Sequence, residues 1–402
     1  GNKSYGYIMG GESPSRLTMD KIDYSSDTTI ASNPGASLVD ATPNSSYYGC
    51  AQAISPRHQA IIPKVLPYYN ETNFATYYTF PSTSFGYFTG GTTEGASSYT
   101  GNAKIERINY FNDTATALTK GSLVTQLAPS WRATRVASVG NNDYGYTGGI
   151  YALIAYSSID RLDYSNDSAQ TVKKGPLSVA RYWTAAVGTN SYGYWLGGYN
   201  VLSTVDRLDY SSDTTTAVAK GPLSAARDRR LSGAGNASYG YVGGGGNPVV
   251  SIVDRIDYSS DTDTAVAKGP LSAARKYISS SGNASYGYFA GGDPTPSPVS
   301  TVDRLDYSSD TTATSPKGPL SVARYEIAGT GSSTVGYHAG GHTPSIDYKL
   351  IDKIDYSNDT IAATPKGGLS SNTHGAGGMS QQALGDALPV LTTKAKARYT
   401  PG

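Results

Sequence analysis

Short apolar stretches, alternating with polar residues or with glycine, recur in a fixed order along this chain. One copy has an apolar stretch at residues 182–187, a Tyr-Gly-Tyr segment at 192–194, an alternating segment at 205–210 and an Ala/Val/Thr stretch at 214–219. Apolar residues at every second position are typical of β-strands that are buried on one face. Gly-Asn, Ser-Ser-Asp-Thr and Lys-Gly-Pro separate these stretches in the copies, and all are turn sequences. Each copy therefore predicts four short strands.

The copies follow one another at a nearly constant period. The Tyr-Gly-Tyr segments that begin at Tyr144, Tyr192, Tyr239 and Tyr286 are spaced by 48, 47 and 47 residues. Seven copies are plain, and residues 31–84 resemble a degenerate eighth copy through Ser-Tyr-Tyr-Gly and Tyr-Tyr-Asn-Glu-Thr. We expect eight units, with seven units and one long insertion as the alternative.

Four strands repeated at this period predict an all-β chain that folds as a single β-propeller. We expect residues 1–378 to form the propeller and residues 379–402 to form a C-terminal tail. The chain begins just before a second strand, and its last copy stops just before a first strand. We therefore expect the N- and C-terminal segments to pair, so that residues 372–378 supply the innermost strand of the blade that residues 1–30 begin.

The repeat resembles the kelch repeat. The shared features are an aromatic strand that ends in Gly-Gly, a variable loop, Asp-Tyr, and a Pro-containing turn before Arg. The matching diglycines begin at Gly10, Gly90, Gly148, Gly197, Gly243, Gly291 and Gly340. Thr or Ala occupies the region where kelch repeats carry a Trp. The resemblance implies kelch-like four-stranded blades, and it extends to kelch-like proteins encoded by marine phages. It implies a virion or appendage component that contacts a host surface, including its glycans.

Charge and composition exclude several classes of function. Lys and Arg total 32 and Asp and Glu total 31, so the net charge of +1 predicts no general attraction to nucleic acid. The sequence has no apolar run of the length that a membrane-spanning helix needs. Charged residues make up only 16%, and Ser, Thr and Gly replace them on the surface. This balance favours an extracellular or virion surface location.

The repeated charged residues predict architecture rather than catalysis. Asp206, Asp209 and Asp213 recur in successive copies, whereas catalytic carboxylates form one unique pair. Arg207 and Asp209 share a strand face, which predicts ion pairs between blades. We expect Asp213 to cap the turn between the third and fourth strands, with calcium binding at these turns as the alternative.

A second repeated set consists of arginines that precede the first strands. By symmetry we expect them to form a ring at one mouth of the channel and to donate to nearby backbone carbonyls, with anion binding as the alternative. They are Arg181, Arg227, Arg275 and Arg324.

The loops between second and third strands differ among the copies and carry tyrosines. Variable loops on a rigid scaffold are a common way to build a binding face. We expect these loops to share one face of the ring and to contact a protein or glycan surface, including other virion subunits, with oligomerisation left open. The candidate binding residues are Tyr99, Tyr151, Tyr156, Tyr199 and Tyr348.

No pattern in the sequence predicts a catalytic site or a cofactor. His338, His342 and His374 are weak candidates for a metal site, because no carboxylate spacing accompanies them. Cys50 is the one cysteine, which excludes an intramolecular disulfide. We expect a non-enzymatic binding or structural scaffold. The alternatives are a carbohydrate-active or galactose-oxidase-like enzyme and a cellular kelch adaptor for protein partners.

Overall fold

A computed structural model describes residues 5–9, 19–23, 51–52, 85–95, 98–128 and 131–380 of the chain. The chain divides into two compact units, which are residues 83–388 and residues 1–82 together with 389–402. In the described ranges, helix is limited to short 3₁₀ turns, and no helix is long and apolar enough to cross a lipid bilayer.

The larger unit is a β-propeller of six four-stranded antiparallel blades, which we number in the chain order of their second strands. The innermost strands of blades 1 to 6 are Gly377–Ser380, Ala137–Gly140, Ala185–Gly188, Ser232–Gly235, Ser279–Gly282 and Ala328–Gly331. The second strands are Phe85–Thr89, Tyr144–Gly148, Tyr192–Leu196, Tyr239–Gly243, Tyr286–Ala290 and Val335–Ala339. The third strands are Lys104–Asn109, Ile159–Asp163, Val205–Asp209, Val253–Asp257, Val302–Asp306 and Ile351–Asp355. The outer strands are Leu118–Ser122, Val172–Lys174, Val218–Lys220, Val266–Ala267, Ser315–Lys317 and Thr364–Pro365.

Shorter elements connect these strands. Five 3₁₀ turns follow third strands, at Tyr164–Asn166, Tyr210–Ser212, Tyr258–Ser260, Tyr307–Ser309 and Tyr356–Asn358. Three small hairpins pair Thr92–Gly95 with Ser98–Gly101, Gln126–Ala128 with Trp131–Arg132, and Ile150–Ala152 with Ile154–Tyr156.

The third strand occupies the predicted residues, but both of its faces carry a buried apolar residue, so the predicted burial on one face alone does not hold. In blade 3, Tyr192 pairs with Asp209 and Tyr194 pairs with Arg207. The third strand buries Val205 and Leu208 and leaves Arg207 half-buried. The prediction of a β-propeller with four-stranded blades is therefore confirmed.

The prediction of eight blades, and the alternative of seven, are wrong. The C-terminal strand Gly377–Ser380 pairs with Phe85–Thr89, so that Gly377 lies opposite Thr89. It lies between the innermost strands of blades 2 and 6, which completes a ring of six blades. A C-terminal segment does supply the closing innermost strand, but its partner is not in residues 1–30.

The N-terminal copy forms a sheet of its own in the smaller unit. Tyr5–Met9 pairs with Met19–Asp23 in the register of a second and third strand, with Tyr5 opposite Asp23. Its other edge pairs with Ala51–Gln52, the position that residues 372–378 were predicted to take. Apart from those two residues, the predicted degenerate blade at 31–84 lies outside the described residues, and so does the tail beyond residue 380. The predicted domain boundary stays a prediction.

The innermost strands are built from small residues, which suits a narrow ring. Their sequences include Ala-Ala-Val-Gly, Ser-Gly-Ala-Gly and Ser-Ser-Ser-Gly. A Cβ atom on Gly233 would lie 2.5 Å from the carbonyl oxygen of Ala186 in blade 3. Because neighbouring inner strands approach this closely, larger side chains would push the blades apart.

One carboxylate in each blade joins that blade to the preceding one. Asp261 of blade 4 accepts from Arg207 Nη1 at 2.7 Å, from Lys220 Nζ at 3.0 Å and from the Tyr194 hydroxyl at 2.9 Å, all in blade 3. We call Asp261 and its equivalents the interblade carboxylates. The other five are Asp113, Asp167, Asp213, Asp310 and Asp359.

Aromatic stacking and a glycine complete each of these junctions. Tyr194 stacks on Tyr258 of the next blade with ring centroids 5.1 Å apart. Gly221 N donates to the backbone oxygen of Asp261 at 2.9 Å, and a Cβ on Gly221 would collide with the carbonyl of Asp263. The repeated Tyr-Gly-Tyr and Lys-Gly-Pro segments are therefore parts of the interface between blades.

Asp209 and Asp213 each have the role that the sequence analysis predicted for the other. The Asp213 side chain does not cap its turn. It is an interblade carboxylate that contacts Arg161 at 2.7 Å and Lys174 at 3.0 Å. These two cations already neutralise its charge, which argues against the alternative of calcium binding at this turn. Asp209 caps the turn by accepting from Ser211 N at 2.8 Å. The predicted interblade ion pair of Arg207 is confirmed, with Asp261 as its partner.

We predict that Asp261→Ala destabilises the propeller by about 2 kcal/mol, because it leaves a guanidinium, an ammonium and a buried hydroxyl without their shared acceptor. Chemical denaturation measures the change. Asp263→Asn, two residues away and exposed, is the matched control and should leave the free energy of unfolding unchanged. Equal effects of the two substitutions would contradict the assigned role.

We also predict that acid weakens the junctions. Burial acts to raise the pKa of Asp261, but hydrogen bonds from Lys220 and Tyr194 and the charge of Arg207 outweigh it and lower that pKa. The pKa values of Asp113 and Asp310 are lowered in the same way. A lowered folded-state pKa contributes stability above the unfolded value of about 3.9, and this stability is lost as the pH falls through the folded value. The free energy of unfolding, measured by denaturation at pH values from 6 downward, should begin to fall near pH 4. The fall should be smaller in Asp261→Asn than in the wild type.

Truncation tests the ring closure. A chain that ends at Ala376 lacks the innermost strand of blade 1 and exposes the edge of Phe85–Thr89. We expect it to unfold at lower denaturant concentration than a chain that ends at Ser380, with faster amide exchange over residues 85–89. Identical unfolding midpoints for the two chains would refute the observed pairing.

Candidate binding site at the mouth of the propeller

The chain approaches each innermost strand through a residue in the left-handed backbone region. We call these six the lead-in residues; with their φ angles they are Arg135 (57°), Trp183 (59°), Arg230 (52°), Tyr277 (57°), Glu326 (55°) and Gly375 (70°). Residues other than glycine adopt this conformation at a cost, and their surroundings must hold them there. They comprise five residue types at six positions, whereas the interblade carboxylates are aspartate in every blade.

Backbone hydrogen bonds tie neighbouring lead-in segments together. They join Arg135 N to Gly375 O at 2.9 Å, Trp183 N to Arg135 O at 3.1 Å, Tyr277 N to Arg229 O at 3.1 Å, Glu326 N to Tyr277 O at 3.0 Å, and Gly375 N to Glu326 O at 2.9 Å. Blade 4 carries one extra residue here, so Arg229 is also left-handed, at φ 58°. These bonds link the lead-in segments at five junctions between neighbouring blades, and we call the linked segments the rim.

The variable loops share this end of the propeller. First and second strands are antiparallel, so the start of each innermost strand lies beside the end of the second strand. Bridges join Thr134 to Tyr151 and Tyr325 to His342, which brings loop and lead-in segment into direct contact. The diglycines allow the chain to turn here, because Gly197 and Gly198 have φ angles of 61° and 123°.

Aromatic rings form a continuous arc around the mouth. Tyr182 contacts Tyr151 at 4.7 Å and stacks on Tyr199 at 4.5 Å between ring centroids. Trp183 lies 5.0 Å from Tyr182 and 5.6 Å from Tyr277. We call these five residues the aromatic arc. Tyr199 is 41% exposed and Trp183 is half-buried, so the arc presents aromatic surface to solvent.

Arg135 adds a cation to the arc. Its guanidinium lies 4.9 Å from the ring centroid of Tyr151 and 4.6 Å from that of Trp183. Such contacts stabilise the arginine by cation–π attraction and fix its planar donors at the mouth.

Beside the arc lies a cavity of about 240 Å³ with charged and imidazole groups in its wall. Glu326, His342 and His374 line it, together with Arg135 and Tyr151. The two imidazoles are stacked with ring centroids 4.2 Å apart. The Asp347 carboxylate lies 3.2 Å from His374 Nδ1 and 3.7 Å from His342 Nδ1. Burial and the neighbouring His374 lower the pKa of His342, which keeps its imidazole neutral near pH 7.

Arg230 closes the axis below the mouth. Its Nη2 atom donates to the carbonyl of Ala376 in blade 1, on the opposite side of the ring. Burial lowers the pKa of Arg230 to about 10, against the attraction of Glu326. The axial channel, which Arg230 also lines, has a volume of only about 70 Å³. A ligand therefore finds room at the mouth and not along the axis.

The structure distributes the predicted binding tyrosines over different surroundings. Tyr151 and Tyr199 belong to the arc. Tyr156 packs against the buried cluster that contains Tyr87 and Ile105, and Tyr348 is half-buried. Tyr99 lies in the strand Ser98–Gly101, but its side chain is outside the described residues. Their role in binding stays a prediction.

Two of the three candidate histidines come together. His338 is separate: it is fully buried between the hydroxyls of Ser279 and Ser281, at 2.8 and 3.2 Å, and burial lowers its pKa to about 3. His342 and His374 meet in the cavity wall. Cys50 and His58 lie outside the described residues.

The predicted arginine ring is architectural. Arg181 is buried, donates to Asp206 at 2.8 Å and to the carbonyl of Trp195 at 3.0 Å, and Arg227, Arg275 and Arg324 repeat both kinds of contact. The expectation of carbonyl hydrogen bonds is confirmed. The carboxylate partner, which the sequence analysis did not assign, neutralises each guanidinium.

Sequence reasoning missed Arg135, Trp183, Arg230 and Glu326. For Trp183, Arg230 and Glu326 the signal is a position two or three residues after Ala-Arg, where similar copies carry different residues, and Arg135 lacks this preceding Ala-Arg. No protein-family model and no curated protein matches this chain.

Proposed function

We propose that this chain is a non-enzymatic binding module and that the mouth of the propeller is its ligand face. The observation that carries the proposal is the contrast within the repeat. Interblade carboxylates, their cationic partners and their tyrosines recur from blade to blade, whereas the six lead-in positions carry five different residue types. Selection for the ring alone would favour the same residue at each of them.

The chemistry of the mouth favours a glycan ligand. The exposed ring of Tyr199 and the half-buried ring of Trp183 offer flat amphipathic surfaces against which the apolar face of a sugar packs. Arg135 and Glu326 supply donors and acceptors for hydroxyl groups beside these rings, in a site that mixes aromatic walls with a few polar groups. Apolar loop residues extend the same face, and Leu153 and Val201 are 45% and 37% exposed.

The resemblance to kelch-like proteins of marine phages extends the proposal to a biological setting. We propose that the propeller is a virion or appendage component and that its mouth contacts a host-surface glycan. The near-neutral net charge and the Ser/Thr/Gly-rich surface support a location outside the cell.

A glycan array probed with the labelled full chain tests the ligand class, and calorimetry on any glycan that binds gives the affinity. We expect Trp183→Ala and Tyr199→Ala each to weaken binding roughly 30-fold, the equivalent of about 2 kcal/mol for a central aromatic contact. Phe111→Ala is the matched control, because Phe111 is 67% exposed and follows the third strand of blade 1, at the other end of the ring. If both variants still bind the glycan like the wild type, the mouth is not the binding site. Binding to proteins but to no glycan would overturn the ligand class.

A further inference from the structure

We propose that Glu326, His342 and His374 form a binding site for a divalent transition metal of the zinc class. One ligand atom from each residue lies within 4.8 Å of the other two. Two imidazoles and one carboxylate are a donor set that suits zinc in protein sites. This inference depends on these side chains alone and not on the proposed glycan.

Backbone hydrogen bonds fix the three ligands before any metal binds. His342 N donates to Tyr325 O at 2.9 Å, His374 N donates to Thr92 O at 3.0 Å, and Glu326 O accepts from Gly375 N at 2.9 Å. The ligands come from three segments, in blades 6 and 1, that the rim holds together. A preorganised set of ligands loses little conformational entropy when it binds a metal.

Asp347 orients the imidazoles. Its carboxylate, which is 5% exposed, faces the Nδ1 atoms of both His374 and His342. A carboxylate on one ring nitrogen fixes the tautomer and leaves the other nitrogen as a metal ligand. Within the described residues, His342 Nε2 is buried without a hydrogen-bond partner. A metal at this position would supply the partner that the buried nitrogen lacks.

The surrounding charges favour zinc over calcium or magnesium. Arg230 interacts electrostatically with Glu326, and Arg135 lines the same cavity. Hard cations need several oxygen ligands, whereas this site offers one ligating carboxylate and two nitrogen donors beside positive charge. Strong nitrogen ligands are therefore required to hold a cation here. Three protein ligands leave a further coordination position on the metal for water or a ligand oxygen.

Metal titration of the full chain tests the site. After removal of metal with a chelator, ZnCl₂ is titrated by calorimetry and CoCl₂ by visible absorption, with CaCl₂ as a comparison. We expect one zinc per chain, a cobalt spectrum typical of four-coordinate nitrogen and oxygen ligation, and no calcium binding. Glu326→Gln, His342→Gln and His374→Gln should each abolish saturable zinc binding. Asp347→Asn should retain it with an affinity about 10–100-fold lower.

Two controls separate a lost ligand from a lost fold. Circular dichroism in the absence of metal should be the same for wild type and variants, and Glu326→Gln serves if either histidine variant unfolds. His58→Ala, a histidine control at a position outside the described residues, should bind zinc like the wild type. Absence of saturable zinc binding by the wild type would overturn the proposal. So would wild-type affinity in Glu326→Gln and His342→Gln, since zinc would then be bound elsewhere.

Discussion

The carboxylate shared between adjacent blades is the interaction on which the rest of this structure depends. A four-stranded blade has two faces to bury, and it can do so only against its neighbours. Asp261 gathers a guanidinium, an ammonium and a phenol from the preceding blade and so fixes both the distance and the angle between the two sheets. The Asp261 carboxylate is only 7% exposed, and removing one partner from a buried ion pair costs more than an exposed pair contributes. Because this carboxylate contact recurs at each of the six junctions, the orientation of every blade depends on the blade before it.

This requirement explains where the chain is constant. Tyr194 must reach Asp261 and also stack on Tyr258, so its size and its hydroxyl are both needed. The closing junction shows what can vary. There Asp113 is held by Lys353 at 3.0 Å and Lys366 at 3.3 Å, so a second lysine takes the place of the arginine while the Tyr337 hydroxyl is kept. The charge is preserved at the junction between the first and last blades.

Local features of the fold could be predicted from the sequence, because they depend on neighbouring residues. The recurrence of the same segment in successive copies predicted the third strand Val205–Asp209, and the turn residues predicted its limits. The number of blades is a different kind of property. It depends on which second strand receives Gly377–Ser380, and Tyr5–Met9 and Phe85–Thr89 both have the required pattern. In the structure Ala51–Gln52 pairs with Tyr5–Met9, and Gly377–Ser380 pairs with Phe85–Thr89. A strand of two residues has almost no recognisable sequence pattern, so this pairing could not be predicted.

The exchanged roles of Asp209 and Asp213 have a similar cause. Both lie near the end of the third strand, and sequence spacing shows only that each can reach a nearby backbone amide. Whether a carboxylate caps its own turn or joins a neighbouring blade depends on where that blade lies. The candidate site was harder still to predict, because only ring closure brings His374 of blade 1 to Glu326, His342 and Asp347 of blade 6.

The mouth differs from the junctions because the left-handed backbone there constrains φ and not the side chain. The rim bonds use only backbone atoms, so arginine, tryptophan, tyrosine, glutamate and glycine can all occupy equivalent positions. All but glycine adopt this conformation at a cost, which the closed ring enforces. Different side chains can therefore occupy the mouth without disturbing the repeated contacts between blades. Arg230 illustrates the limit of this freedom: it crosses the axis to Ala376, so a residue of blade 4 helps fix the segment that carries His374 in blade 1. The geometry of the cavity wall is thus coupled to closure of the whole ring.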